Sequence, residues 1–313
     1  MAYTSGDSIE AAHYNGFVTS VNTLWGTGTG NKGIGQTTTI STVSATNTIT
    51  ATQWSTLLDR IRSISDHYGQ DGGITIDTVT NPTTGDTISA LTTLAADIGT
   101  IDTAQTSVAA VSAGYGSAIA DTAVVSGTFT NTITQTNTLT FASADQMRYF
   151  FNAGGKVTTS WAVSGGTADA KYNEWVDLAT KCGTWQIFNT SSSKTGGSGT
   201  PATNNTNAGF HDLTTSPVVH FKQLADTSPY TANFIQLAAS LNAAVGSSTI
   251  LTITSTWSDA AADSVSYNKA IYNVLDQVNG SKTTTFNAYP PATTYITASW
   301  GTPSWATTVN TES

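Results

Sequence analysis

The amino-acid sequence predicts an α+β fold: an N-terminal helical module followed by a C-terminal antiparallel β-sandwich-like domain with one or two inserted helices. Three observations carry that prediction. Two capped stretches with apolar residues at three-to-four-residue steps lie before residue 70, and from Thr122 the apolar period switches to two. The later segments are strand-like, similar in length and separated by turn residues, with few helices between them, which favours an antiparallel sandwich over βαβ units. The expected divisions are a helical anchoring module over 1–70, a linker with a helical segment over 71–121, and a β-rich domain over 122–313.

The first helix is expected over residues 8 to 25. Asp7-Ser8-Ile9-Glu10 reads as a capping box, Ile9, Ala12, Phe17, Val21, Leu24 and Trp25 form the apolar stripe, and Gly26 ends it. The glycine-rich run Gly26 to Gly35 resembles a phosphate cradle, but Lys32 precedes Gly33 where a P-loop needs Gly-Lys-Ser/Thr, so it reads as a flexible connection. Thr39 to Thr48 alternates like one strand. Thr50-Ala51-Thr52-Gln53 is a second capping box, opening a helix through Trp54, Leu57, Leu58, Ile61 and Ile64 to about Tyr68. Arg60 and Arg62 read as solvated or subunit-facing. Ile74, Ile76 and Val79 alternate briefly before the turn Asn81 to Asp86. Ile88, Leu91, Ala95 and Ile98 then take heptad spacing, continued by Ile101, Val108 and Val111; without charged flanking positions, a helix packed on its own chain is favoured over an intersubunit one.

In the β-rich part, Val124, Phe129, Ile133, Leu139 and Phe141 alternate with Thr and Asn, the mark of strands with one wet face. A short helix is expected over Ser143 to Asn152, stopped by Gly154-Gly155, then a strand from Lys156 to Val163 and an amphipathic helix from Ala168 to Cys182. Strands follow at Thr184–Asn189, Val218–Leu224, Phe234–Asn242, Ser248–Trp257, around Tyr267–Val278, at Lys282–Tyr289 and at Thr293–Trp300. Thr190 to Asn207, rich in Ser, Gly, Thr and Asn, reads as a mobile surface loop.

Composition narrows the function. Only 10% of the 313 residues are charged, and about a fifth are threonine, so hydroxyls and amides must cover the surface. Eleven basic against twenty acidic residues give a net charge of −9, which repels phosphate backbones and argues against nucleic-acid binding. Cys182 is the single cysteine, so no intrachain disulfide forms, and it reads as a small buried helix residue. The N-terminal residues show no export signal, and no apolar run is long enough for a membrane span. A surface that looks extracellular on a chain made without an export signal fits a virus particle, assembled in the host cytoplasm and released by lysis.

Two sets of segments carry a family likeness. Ile9 to Asn15, Val21 to Gly28 and Ile49 to Leu57 together resemble the N-terminal region of virion structural proteins of tailed bacteriophages, cyanophages included. Arg148 to Gly155, Pro290 to Tyr295 and Ser299 to Pro303 are similar to the C-terminal part of the same group. The resemblance implies a virion component, a tail, neck, fibre or capsid-decorating subunit, with no active site to carry over.

The residues offer weak catalytic candidates: Glu174 with Asp177, Asp259 with Asp263, and His211-Asp212 with His220. Glu174 and Asp177 sit three apart on a helix that also shows Lys171 and Lys181, the pattern of a solvated face, and the two histidines lack a third soft ligand. The sequence therefore implies no enzyme, no cofactor and no metal. Ile9, Phe17, Trp25, Trp54 and Leu57 are the candidate assembly contacts, with copies of the chain and other virion proteins as partners. Trp300 and Trp305 are candidate recognition residues under the alternative reading, a receptor-binding fibre or adhesin that takes a host surface glycan.

Overall fold

The computed structural model describes residues 10–70, 72–86, 91–106, 114–261, 264–267, 270–273 and 278–310. Helices dominate the N-terminal part and antiparallel sheets the C-terminal part, so the fold is α+β as the periodicities predict. The chain divides into two compact units. Unit 1 combines Met1–Ser117 with two returning segments, Asp145–Gly155 and Pro290–Gly301; unit 2 holds Ala118–Ala144, Lys156–Tyr289 and Thr302–Ser313.

Unit 1 is built on α1 (Ala11–Trp25), α2 (Ala51–His67) and α3 (Leu91–Thr106). The apolar stripes of α1 and α2 meet, burying Tyr14, Val18, Val21 and Leu24 from one and Trp54, Leu57, Leu58, Ile61 and Ile64 from the other. α2 starts at a complete capping box: the Gln53 N–H donates to Thr50 Oγ1 at 3.2 Å and the Thr50 N–H to Gln53 Oε1 at 2.9 Å. Thr50→Ala removes one of these bonds, and its expected cost is about 1 kcal/mol by chemical denaturation, Thr50→Ser costing a few tenths at most. At α1 the cap is Glu10, with no side-chain bond, and Asp7 to Ile9 lie outside the described residues.

The alternating stretch after α1 is extended but joins no sheet. Asn15 and Asn22 of α1 use their carboxamides as strand partners: Asn15 binds both N–H and C=O of Val43 at 2.8 Å, and Asn22 those of Ile40 at 2.9 and 2.8 Å. Two side chains, two turns apart on one helix face, thus replace a neighbouring strand. The Ile74–Val79 run is a 3₁₀ turn (Thr75–Thr78) instead of a strand. Buried Asp97 of α3 accepts the N–H groups of Thr75 and Ile76 at 3.0 and 3.1 Å, which anchors the turn's open end.

The glycine-rich run is not a flexible connection. It cradles α4 (Ala144–Asn152), whose Arg148 donates to the carbonyls of Lys32 and Thr27 at 2.6 and 2.8 Å while Asn152 donates to that of Gly33 at 3.0 Å. Gly35 sits at φ +71°, and a Cβ there would lie 2.3 Å from the Tyr149 ring, so glycine is required twice over. Both arginines of α2 are also spent internally, not left to solvent or a neighbour: Arg60 lies over the Trp25 ring at 4.0 Å, and Arg62 donates to the Ile76 and Val79 carbonyls. Thr293–Trp300 is no strand either; Gln36 and Thr297 exchange amide hydrogen bonds at 2.8 Å and hold it against the 26–36 region.

Unit 2 is a two-sheet sandwich. Its strands are β1 (Ile119–Val125), β2 (Thr132–Thr140), β3 (Lys156–Ser164), β4 (Thr184–Ile187), β5 (Ser192–Thr195), β6 (Thr203–Asn204), β7 (Val218–Leu224), β8 (Phe234–Leu241), β9 (Ile250–Ser258), β10 (Ser264–Tyr267), β11 (Ala270–Asn273), β12 (Ser281–Tyr289) and β13 (Ser304–Asn310). The sheet orders are β1-β12-β3-β4-β5 and β13-β2-β9-β8-β7-β6, all pairs antiparallel, with β10 and β11 a separate hairpin. The 190–207 segment, expected as loop, contributes the short edge strands β5 and β6.

Between the sheets, Trp161 stacks on Phe221 with ring centres 5.3 Å apart, and Trp175 of α5 (Ala170–Cys182) meets Phe129 and Trp257 at 5.6 and 6.0 Å. This core also holds a fully buried and hydrogen-bonded polar side chain, Gln135. Gln135 Oε1 accepts from Trp257 Nε1 at 2.9 Å and from Thr284, while its Nε2 donates to the carbonyls of Ala123 and Lys282, tying β2 across to β1 and β12. A satisfied network of this kind sets the register of one sheet over the other. Among the described residues no helix is long and apolar enough to cross a membrane.

Candidate functional site

Helix α5 gathers the ionisable groups of unit 2. Asp169 caps it, accepting the Tyr172 N–H at 2.8 Å, and the helical repeat then sets Lys171 and Glu174 on its buried side and Asp177 and Lys181 nearer the rim. Lys171 Nζ lies 2.5 Å from Asp259 Oδ2, both side chains 1% exposed. Glu174 is buried and accepts the Asp226 backbone N–H at 3.4 Å. Lys181 Nζ lies between Asp177 Oδ2 at 2.5 Å and Asp226 Oδ1 at 2.6 Å. Glu174, Asp177 and Asp226 present carboxylate oxygens within 4.8 Å of one another.

Two of these groups, Lys181 and Asp226, are held away from acid–base work. A general acid needs a carboxyl held above its ordinary range, and a nucleophilic lysine needs an ammonium held below it. Here the hydrogen bond to Asp177, with that to Asp226, raises the Lys181 ammonium, and the hydrogen bond from Lys181 lowers the Asp226 carboxyl. Lys181 and Asp226 are thereby driven further into their ionised forms. Lys181 bridges two of the three carboxylates, Asp177 and Asp226, and ties α5 to the β7–β8 connection.

The outer faces of the sandwich are built in the opposite way, almost without charge. On the six-stranded sheet, Thr134, Thr136 and Thr138 of β2 lie directly opposite Thr256, Thr254 and Thr252 of β9, with Thr308 of β13 beside Thr136 and Gln236, Ala238 and Ser240 of β8 beyond β9. The residues between these threonines on β2 and β9 face inward and are buried, so the pleat sorts threonine out and core in. Lys222 on β7 is the first charged residue met across that face, and it lies over the Phe234 ring at 3.8 Å. On the other sheet a row of hydroxyls runs Thr122, Thr285, Ser160, Thr184, Thr195 across all five strands.

No family model, curated protein or solved structure matches the chain. The residues themselves must carry any functional reading.

Most of the expected contact residues are occupied within the fold. Trp25, Trp54 and Leu57 are 5%, 1% and 0% exposed and form the core of unit 1, so they are not assembly contacts; Phe17 is half-buried, edge-on to Trp54 at 6.5 Å, and Ile9 lies outside the described residues. Trp300 is 3% exposed and offers no open ring to a glycan, and half-buried Trp305 donates its indole N–H to the Ile119 carbonyl at 2.8 Å. Among the catalytic candidates, Glu174 and Asp177 do meet, with Asp226, a residue that local spacing did not indicate. Asp259 pairs with Lys171, and Asp263 lies outside the described residues. His220 is buried beside Trp185, its Nδ1 3.3 Å from Ser192 Oγ, while His211 stands edge-on to Phe210 in a 3₁₀ turn. The outer faces were legible as Thr-x-Thr-x-Thr in 132–140 and Thr-x-Thr-x-Thr in 252–256.

Proposed function

We propose that the chain is a non-enzymatic structural protein of a tailed-phage virion, an oligomeric tail, neck or capsid-decorating component that assembles with copies of itself and other virion proteins. The observation that carries this reading is the pair of broad, hydroxyl-covered sheet faces with almost no charge, on a sandwich whose ion pairs lie in its interior and rim. Faces without charge can lie against neighbouring subunits at no cost in desolvated ions. The composition and the likeness of the N- and C-terminal segments to virion structural proteins support the same reading. Glycan recognition by a fibre has less support, because Trp300 is buried and the Trp305 indole N–H is bonded within the fold.

Mass spectrometry of density-purified particles from the phage that encodes the chain is the test. The expected result is the chain at a fixed stoichiometry in the particles, with an antibody to it labelling one discrete location in electron micrographs. Its absence from purified particles overturns the proposal, and specific retention of the isolated chain on a glycan array moves it to the adhesin reading.

A further inference from the structure

We propose that two copies of the chain associate face to face through the outer surface of the six-stranded sheet, the side carried by β13, β2, β9, β8 and β7. The inference rests on the structural-subunit reading and names which surface makes the contact and with what: a second copy of the same face.

The first argument is electrostatic. Unit 1 has ten acidic residues against four basic ones, so copies meeting through it repel. The described acidic residues of unit 2 lie on α5, in connections, or on β1 at Asp121, whose Oδ2 accepts from Thr307 and Asn137. None stands at an outward position of β13, β2, β9 or β8. This face is a large surface on which a chain of net charge −9 can meet its own copy with no acidic group opposed to another.

The second argument excludes the sheet edges. β13, an edge strand, is stapled to β1 of the other sheet: Trp305 donates to the Ile119 carbonyl at 2.8 Å and Thr307 to Asp121 at 2.5 Å. The opposite margin ends in β6, two residues long, and the other sheet ends in β5, four residues long, too short to template an added strand. The short margins β5 and β6 and the side-chain ties between β13 and β1 make strand addition the less favourable route, and the faces remain.

The third argument is size and shape. Five strands at about 4.8 Å spacing and about 27 Å long span roughly 650 Å², or about 1,300 Å² over two copies, inside the range of specific interfaces. The rival five-stranded face is smaller, because β4 and β5 have four residues each, and carries Lys156 on β3. Two identical right-twisted sheets pack about 10 Å apart with strands roughly 30° off parallel, and a two-fold axis makes one such face its own complement. Threonine suits this: its γ-methyl packs while its hydroxyl pairs, as Thr136 and Thr254 already do at 3.5 Å. Phe234 beneath Lys222, and Leu224 at 36% exposure, form an apolar margin capped by one polar group.

Analytical ultracentrifugation of the full chain tests it. The wild type is expected to sediment as a dimer. Thr136→Lys combined with Thr254→Lys, which places like charges at the centre of the face, is expected to weaken association by at least about tenfold. Thr285→Lys on the five-stranded face is expected to leave it unchanged. A monomeric wild type, an unaffected double variant, or equal loss with Thr285→Lys overturns the proposal. Should the lysine variants lose their circular-dichroism melt, Thr136→Cys with a bismaleimide of about 10 Å reach supplies the second arm, since the sheets would stand that far apart. Cys182 stays silent there, being fully buried with its thiol raised by desolvation. Cross-linked dimer supports the proposal, and monomer alone overturns it. A dimer through this face in a chain absent from purified particles would fail the virion reading and leave the interface standing; presence in particles with a monomeric chain would do the reverse.

Discussion

Lys171→Met is expected to destabilise unit 2 by about 3–5 kcal/mol, the cost of breaking a buried ion pair from one side. Asp259 would keep its carboxylate at 1% exposure with the ammonium 2.5 Å away removed. For a domain of this size the thermal midpoint would fall by roughly 10 °C. Replacing both residues, Lys171→Met with Asp259→Leu, is expected to recover most of the loss, because two apolar side chains of similar volume remove both desolvation costs at once. The near-UV signal of Trp161, Trp175, Trp185 and Trp257, all in unit 2, follows the transition within the full chain. A single variant within about 1 kcal/mol of wild type would show that water reaches the pair and that its burial counts for little. The rim pair is a built-in comparison: Lys181→Ala is expected to cost under about 1 kcal/mol, since Asp177 and Asp226 stay solvated.

What the sequence could and could not show follows from the range of each signal. Capping boxes, apolar stripes and two-residue alternation act within a few residues, so α2, α5, β7 and β12 fall close to where the periodicity puts them. Long-range pairing leaves no such trace. Asn15 and Asn22 look like ordinary helix asparagines until Val43 and Ile40 lie beside them. Thr39–Thr48 and Thr293–Trp300 alternate as strands do, but the first pairs with side chains and the second is fixed by Gln36, so neither enters a sheet. Ser304 to Asn310, which forms β13, has little apolar alternation; its register comes from β2 and from the Trp305 and Thr307 bonds to β1. The site suffers most. Glu174 and Asp177 are three apart and readable as one helix face, whereas Asp226 arrives from the β7–β8 connection and Lys171 finds Asp259 beyond β9. A solvated-looking lysine at 171 is in fact among the most buried side chains of the chain.

Acid is expected to weaken unit 2 through a buried imidazole. His220 is fully buried on β7 against Trp185, and desolvation pushes its imidazole down to about 4 from an ordinary 6.5. Between those pH values the unfolded chain binds a proton that the folded chain refuses. Stability is therefore complete above about pH 6.5 and declines as the pH falls toward 4, by about 3 kcal/mol over the whole interval. His67 in unit 1 moves the same way: burial lowers it, opposed by its bond to the Ala153 carbonyl at 2.8 Å, so unit 1 loses stability over the same side of neutrality. The lowered carboxyls, Asp121 and Asp226, act in a lower window, where protonation removes their bonds to Thr307 and Lys181. Thermal melts of the full chain at half-unit pH steps from 7.5 to 4 measure the decline, and the difference between wild type and His220→Asn isolates the share of unit 2. In His220→Asn the absolute stability is lower, but the slope between pH 6.5 and 4 that belongs to the imidazole is expected to vanish. An unchanged slope in that variant would assign the acid sensitivity to another group and show that the folded state accommodates the His220 imidazolium. If the chain forms part of a virion, the same imidazole sets a lower pH bound on how long each subunit keeps its sandwich intact.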